Sequence, residues 1–473
     1  MNPAALVKLR GSRTGMAGNP CGETQHSVYE ETALIILKFG GTSVGGAEPI
    51  RRLAEIVRRS LPRKPLIVVS AVAGVTNRLF RLVDLALKGA DWKPEFQALV
   101  DLHREILRQL ALETTLIDGL FEELEQLLRG ISLIRDCTPR TKDYLVSFGE
   151  RFSVRVVAAQ LNKAGIAGRA FDSFDIGLIT DSHFGCARPL PDVDQRIHRS
   201  LAGVAEVPVV TGYIGKDASG DITTLGRGGS DYSASIFGAA VGAEEIQIWT
   251  DVDGVMTADP RIVKNARFIK VMSFDEASEL AFYGAKVLHP ATMIPAVRKN
   301  IPIRVLNSYR PEFEGTTIVA QLGPAERGVK SIASKDDIVL VNVVAPPMIF
   351  QYGFMEKIAG IFARYEIVID MIATSEVSVS LTTNPAANLD PVVAELSSFC
   401  EVTVERSMSL VSVVGEELRE RADFAAVVFG VLADLDVSVE MISYGATRNN
   451  LAFVIGQDRV REVVSALHDK LFS

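Results

Sequence analysis

The sequence predicts an α/β domain built on a largely parallel sheet sandwiched by helices, followed by two smaller α+β repeats. Three observations carry that expectation. Short apolar runs ending in turn residues alternate with amphipathic stretches over most of the chain. Past about residue 324, Gly360-Ile361-Phe362-Ala363 recurs as Gly430-Val431-Leu432-Ala433, and Ile369-Asp370-Met371-Ile372 as Val439-Glu440-Met441-Ile442, a constant offset of 70 residues. A glycine-rich stretch, Thr224-Leu225-Gly226-Arg227-Gly228-Gly229-Ser230-Asp231-Tyr232-Ser233-Ala234, stands directly before an apolar helical run at 234–241.

The first elements form a βαβ unit. Residues 34–37 are a buried-strand run ending in Lys38-Phe39-Gly40-Gly41-Thr42-Ser43. Residues 50–61 place Leu53, Ile56 and Val57 on one helical stripe. Residues 66–69 are a second strand, ending in Ser70-Ala71-Val72-Ala73-Gly74. Residues 78–130 read as mostly helical, and 207–212 and 246–250 as further strands. In such a sheet the chemistry is expected at the carboxyl ends of the strands.

The first repeat reads as strand 338–344, helix 354–365, strands 367–372 and 377–381, helix 391–399 and strand 401–405. The second reads as strand 410–414, helix, strand, strand 451–455 and helix 460–471, and lacks a sixth strand. Residues 329–333 are an otherwise unclaimed strand. They are expected to complete the second sheet, which makes the first repeat an insertion within the second; an open edge is the alternative. The expected division is a flexible extension at 1–30, a catalytic domain at 31–323, an inserted repeat at 335–407, and a second repeat from 328–334 plus 408–473. An organelle-targeting peptide is the alternative for the extension, weakened by Glu23, Glu30 and Glu31.

The 473 residues hold about three domains of ordinary size. A net charge of -8 argues against a general nucleic-acid or anionic-membrane binder. Cys21, Cys137, Cys186 and Cys400 are widely spaced, which suits reduced thiols in a cytoplasmic protein and offers no zinc site. No apolar stretch is long enough to span a membrane.

Glycines 226, 228 and 229 let backbone N–H groups approach an anion, and a helix start adds partial positive charge. Arg227 can fork onto a carboxylate or phosphate there. An ordinary glycine-rich turn is the alternative. Lys38 before Gly40 and Gly41 can neutralise a transferring phosphoryl group; a solvated strand-end lysine is the alternative. Glu150, in Ser147-Phe148-Gly149-Glu150-Arg151 ahead of an expected helix, is either a capping carboxylate or a receiver for a substrate ammonium. Thr250, Asp251 and Asp253 at a strand end suit a nucleotide–Mg²⁺ pocket, although Asp-Gly also forms turns. Asp259-Pro260-Arg261 continues that loop. His289, before a proline, is read as structural rather than as a base.

Taken together, KFGGTSV (38–44), SFGER (147–151), GRGGSDYSA (226–234), WTDVDGVMTADPR (249–261) and GAKVLHPA (284–291) resemble the aspartate kinases of the amino-acid kinase superfamily. The tandem repeats resemble paired ACT domains, amino-acid-sensing modules of ferredoxin-like βαββαβ form. The resemblance implies transfer of the ATP γ-phosphoryl group to the side-chain carboxylate of L-aspartate, giving 4-phospho-L-aspartate, with Mg²⁺ carried on ATP. It implies that Arg227 holds the substrate α-carboxylate, Glu150 its ammonium, and that Ser70, Thr76 and Ser230 help to fix it. Lys38 would face the phosphates with Gly40, Gly41 and Ser43 nearby, and Asp231 would orient Lys38. Thr250, Asp251, Met256, Arg261 and Lys286 would line the nucleotide pocket; many lysine-sensitive relatives have tyrosine in place of Met256.

In the first ACT copy, Met348, Gly353, Phe354, Met355, Asp370, Thr374, Ser375 and Glu376 match the effector positions. Asp370 and Glu376 would pair with a cationic ligand; two exposed loop carboxylates are the alternative. Lysine is the expected effector and threonine the runner-up, since Gln351 departs from the small serine common in lysine-sensitive relatives. Ser443-Tyr444-Gly445-Ala446 replaces TSEV in the second copy, whose pocket is expected to serve assembly. A homodimer through the ACT domains, or a tetramer, is expected. The rival readings are a kinase for another amino acid and a catalytically inactive sensor of the same fold.

Overall fold

The computed structural model describes residues 34–283, 290–344, 352–444 and 449–472. β1 (Ile35–Phe39) and β2 (Pro65–Val69) are buried at every position and pair in parallel. Their two faces meet different layers, because successive side chains of a strand point oppositely. Ile35, Leu37 and Phe39 join one core, while Ile36 joins another. α1 (Ala47–Ser60) crosses between the strands and buries Ile50, Leu53, Ala54, Ile56 and Val57.

α2 (Val75–Leu87), α3 (Lys93–Gln109), α4 (Asp118–Ile134) and α5 (Pro139–Lys163) add helices to the Leu37 side of the sheet. Their shared core includes Leu79, Leu99, Leu124, Leu128, Phe148 and Phe152. The sequence reading placed a helix start just after Glu150; the structure places Glu150 deep inside α5. Thr138 caps that helix by accepting the Thr141 N–H at 3.2 Å, and Pro139 takes the first turn, where no N–H is needed. Gly149 marks a close approach rather than a helix end. A Cβ there would stand 2.7 Å from the Cβ of Ala71, in the loop after β2.

The domain continues through β3 (Gly168–Phe171), β4 (Ile179–Thr180), α6 (Val193–Leu201), β5 (Val207–Thr211), β6 (Ile214–Asp217), β7 (Ile222–Thr224), α7 (Gly229–Val241) and β8 (Glu245–Thr250). β9 (Val271–Ser273), α8 (Phe274–Phe282), α9 (Pro290–Arg298), β10 (Ile303–Asn307) and β11 (Thr316–Val319) complete it. Eight strands make the main sheet in the order β3-β5-β2-β1-β8-β10-β11-β9. The first six are parallel and β11 turns antiparallel. β4, β6 and β7 form a separate small sheet. Residues of α6, α7, α8 and α9 pack with Ile36, Val68 and Ile248 on the second face.

β12 (Gly328–Val344), α10 (Phe354–Arg364), β13 (Ile369–Thr374), β14 (Ser378–Thr383), α11 (Leu389–Ser397) and β15 (Glu401–Glu416) follow, then α12 (Phe424–Asp434), β16 (Met441–Ser443), β17 (Asn450–Gly456) and α13 (Val460–Phe472). The strands form one antiparallel sheet, β13-β14-β12-β15-β17-β16. Four separate strands were expected at 329–333, 338–344, 401–405 and 410–414. They are instead merged into two long ones, β12 and β15, paired along their length. Register shifts between Lys335 and Leu340, with Asp337 at φ 56° and Ser407 at φ 58°, bend the ribbon so that one strand serves two modules. Residues 338–344 pair with β14 and with 401–405, whereas Ser331–Ser334 pair with Val414–Val411, beside β17.

Candidate active site

A cleft of about 730 Å³ opens where β1 and β2 end, between the loop after β2, the middle of α5 and the start of α7. It gathers Lys38, Gly41, Ser70, Thr76, Glu150, Arg227, Ser230 and Asp231 from the sequence-based site. These positions span much of the domain, and the parallel sheet brings them together.

Lys38 shares a strand face with Ile36 and so points to the α7 side. It is 8% exposed, and its Nζ stands 2.6 Å from Asp231 Oδ1. Asp231 lies in the first turn of α7, where the helix end favours a carboxylate. That helix was expected from residue 234; it starts at Gly229, inside the glycine motif. Gly226 (φ 78°) and Gly228 (φ 70°) adopt the left-handed conformation that makes this turn. Arg227 is exposed at the rim and has no hydrogen-bond or ion-pair partner among the described residues.

Glu150 is 3% exposed. Its Oε1 accepts the Ala71 N–H at 3.1 Å, and its Oε2 is buried without a partner among the described residues. Burial pushes its carboxyl up to about 8, against the opposing pull of the Ala71 bond and the charge of Lys38. A buried, half-satisfied acid lining a cleft is suited to receive a cation. Gly41 is needed for space, since a Cβ there would lie 2.9 Å from the Ala71 carbonyl oxygen.

Gly40 and Ser43, expected beside the phosphates, are not among the residues lining this cleft. The Gly40 N–H is committed to the Trp249 carbonyl at 3.0 Å. The Ser43 hydroxyl is buried and bonds Ser308 Oγ at 2.8 Å and the Trp249 carbonyl at 3.2 Å. Both residues brace the turn after β1 against β8.

Thr250 ends β8, with its hydroxyl 3.2 Å from Asp251 Oδ1. Asp253 is held by Asn307 Nδ2 at 2.7 Å and by Arg310 at 2.6 Å. Met256 and Arg261 do not reach the cleft around Lys38. The Met256 carbonyl accepts the Ser331 hydroxyl at 2.8 Å, and Arg261 is an exposed partner of Asp259 at 2.6 Å. Their segment docks on the second repeat. Ala258 and Val263 sit in the core of Val411, Phe424 and Leu467. The Thr257 hydroxyl contacts His468 Nε2 at 2.9 Å, and the Thr257 carbonyl accepts the Ile332 N–H at 2.8 Å. Lys286 and His289 lie outside the described residues.

The sequence reading did not single out Asn77, Phe80 and Tyr213, which line the cleft, nor Asp143, which lies behind it and accepts the N–H of rim residue Gly185. Asp143 precedes Glu150 by seven residues, one face of a helix, and that spacing was a usable signal once α5 is begun at Pro139. Tyr213 lines the cleft at φ 67°, a strained conformation that no sequence pattern announced.

In the first repeat, Gly353 (φ 80°) precedes α10, and Phe354 is buried in the module core against Phe399. Met355 packs on the same core. Asp370 on β13 is not an exposed loop carboxylate: its side chain is 7% exposed and pairs with Lys335 Nζ at 2.5 Å. Thr374, Ser375 and Glu376 are exposed at the β13–β14 turn, where the Ser375 and Ser378 hydroxyls are 2.6 Å apart. Met348, Gln351, Gly445 and Ala446 lie outside the described residues.

Residues 33–307 match the Amino acid kinase family and residues 411–471 an ACT domain. The chain is 39% identical to the chloroplastic aspartokinase 3 of Arabidopsis thaliana, over 100% of this chain and 88% of that protein. It is 34% identical to the lysine-sensitive aspartokinase 3 of Escherichia coli, over 93% of this chain and 99% of that one. Among solved structures it resembles E. coli aspartokinase III in complex with aspartate and ADP (TM-score 0.80, 33% identity, 93% of this chain and 100% of that chain). It also resembles the same enzyme in complex with lysine and aspartate (TM-score 0.76, 34% identity, the same coverage). With this cleft, this fold and these relatives, the chain belongs to the aspartokinases of the amino acid kinase family.

Proposed function

We propose that this protein transfers the γ-phosphoryl group of ATP to the side-chain carboxylate of L-aspartate, giving 4-phospho-L-aspartate, under feedback control by an amino acid bound at its ACT modules. The observation that carries this reading is the pairing, in one cleft, of a buried acid (Glu150) and a rim arginine (Arg227), the acid's Oε2 and the arginine both without a partner among the described residues, with Lys38 beside them. An α-amino acid carries one charge for each of the first two, and its side-chain carboxylate is left to meet the phosphoryl group.

A carboxylate is already a nucleophile, so no covalent enzyme intermediate is required. What opposes reaction is the approach of two anions. Lys38 offsets that repulsion, and Asp231 holds its ammonium in place at 2.6 Å. Arg227 takes the α-carboxylate, Glu150 ionises to take the ammonium, and Ser70, Thr76 and Ser230 fix the remainder. The Gly41 amide, Thr250, Asp251 and Lys286 belong to the nucleotide side, with Mg²⁺ arriving on the ATP phosphates. Being complexed with aspartate, ADP and lysine, the E. coli relatives support this choice of ligands.

The proposed effector is lysine, at Asp370, Thr374, Ser375 and Glu376, with threonine the alternative. A cationic effector would compete with Lys335 for Asp370. We divide the chain into a catalytic domain (31–323) and two ACT modules, 335–407 and 328–334 plus 408–473. The strand pairing of β12 with β15 supports that division. Edge strand β13, with Ile372 exposed and Val368 exposed just before it, is the proposed site of homodimer assembly.

The test mixes protein, ATP, Mg²⁺ and single amino acids, and traps acyl phosphate with hydroxylamine. Hydroxamate should form with L-aspartate and fall when lysine is added. A protein that gives no hydroxamate with any amino acid, yet shifts its melting temperature with lysine, is a sensor and not a kinase.

A further inference from the structure

We propose that Asp143 is a positioning residue that sets where Arg227 stands relative to Glu150, and so fixes the spacing at which the cleft recognises the two charged groups of an α-amino acid. This rests on the assignment of Glu150 and Arg227 to the substrate ammonium and α-carboxylate.

Asp143 is a buried carboxylate, 4% exposed, with no ion-pair partner among the described residues. Burial alone raises its pKa, and three hydrogen bonds oppose that rise. One comes from Gly185, on the rim of the cleft, and two from Thr224, the last residue of β7, which leads into the rim at Gly226. Oδ2 accepts the Gly185 N–H at 2.8 Å and the Thr224 N–H at 2.7 Å; Oδ1 accepts the Thr224 hydroxyl at 3.0 Å. The Ala187 N–H then donates to the Thr224 carbonyl at 2.8 Å, which ties the two segments to each other. They touch again at Gly226, where a Cβ would lie 3.1 Å from the Gly185 carbonyl oxygen. Arg227 is the next residue.

The other end of this arrangement is Glu150, on the same helix. Asp143 and Glu150 are seven residues apart in α5, about two turns and ~10 Å of a rigid rod on one face. The helix is buried through this stretch, with Leu145, Val146, Ser147, Phe148 and Gly149 all inside. One element therefore carries the ammonium receiver directly and the carboxylate receiver through Asp143. A loop arginine with no partner among the described residues is otherwise free to sweep.

Steady-state kinetics of the full-length enzyme with L-aspartate and with its α-amide, which lacks the α-carboxylate charge, test this. Wild type should prefer L-aspartate by about ten- to hundredfold in kcat/KM, the scale of a hydrogen-bonded charge contact. Asp143→Ala should lose most of that preference by losing turnover of L-aspartate alone, with KM for ATP unchanged. Asp143→Asn should keep it, because an amide oxygen can accept both N–H groups while its NH₂ donates to the Thr224 hydroxyl. Equal losses on both substrates in Asp143→Ala, or an intact preference, overturn the proposal. Should Asp143→Ala fail to fold, Thr224→Val removes one of the three bonds and is read by the same ratio. Arg227→Met is the control: if it keeps the preference, the assignment of Arg227 is at fault; if it loses the preference while Asp143→Ala keeps it, only the role of Asp143 falls.

Discussion

Replacing Glu150 by glutamine isolates the carboxyl group whose charge burial opposes. Burial raises its pKa from 4.5 to about 8. At 1.36 kcal/mol per unit, ionising this group in its buried place costs about 5 kcal/mol more than in water. The sign follows from proton counts. Between 4.5 and about 8 the folded chain binds this proton more tightly than the unfolded chain, so the contribution of Glu150 to stability falls as pH rises and levels off above about 8. Glutamine does not titrate and has no such slope, yet its amide oxygen can still accept the Ala71 N–H. Urea denaturation of both proteins from about pH 5 to about pH 9 should give curves that converge toward the acid end and separate toward the alkaline end, with the variant the more stable there. The same proton reports on binding. At pH 7, a group with a pKa of about 8 is protonated in about nine molecules of ten. An ammonium ion requires the carboxylate, so each L-aspartate bound should release about 0.9 proton, measurable by titration calorimetry in buffers of different ionisation heat. The variant should release none and bind L-aspartate weakly at every pH. Wild type that releases no proton at pH 7, with a stability curve parallel to that of the variant, would refute both the buried neutral acid and its role.

Further outcomes are expected from the same geometry. Lys38→Met should lower kcat by about 10²- to 10³-fold in the hydroxamate assay while a melting shift with L-aspartate persists; unchanged kcat would remove Lys38 from the chemistry. Gly149→Ala drives a Cβ toward Ala71 and should cost about 1–3 kcal/mol in urea titration while raising KM for L-aspartate. Thr257→Val removes the buried contact to His468 and should raise KM for ATP, leaving KM for L-aspartate in place, since the segment carrying Thr257 begins at Asp251. An Asp370→Ala, Glu376→Ala double variant should lose lysine inhibition by at least about tenfold in half-inhibitory concentration; wild-type inhibition would exclude these carboxylates from the effector site.

Much of the fold was legible because it depends on local patterns. Apolar runs such as Ile35–Leu37 have no polar face to place and must lie inside a sheet covered on both sides. The repeat at 360 and 430 was legible because each copy needs the same apolar helix face. Lys38, Arg227, Asp231 and Glu150 could be read as chemical types beside glycines, which make turns at the first three and lie inside α5 at Glu150. The start of α5 was misread because Gly149 resembles a helix boundary when its neighbour Ala71 is unknown.

The sequence by itself determined the alternation of strands and helices, the duplication, and which residue types could handle two anions and a cation. Tertiary structure alone decided how those types are used. Lys38 meets Asp231 only because β1 lies under the start of α7. Ser43 and Gly40 are spent on β8, and the Met256–Arg261 stretch on the second ACT module, because those partners lie far away along the chain. Hydrogen-bonding capacity is local, but the partner that uses it is set by packing, and packing is where Asp143 acquired its three donors.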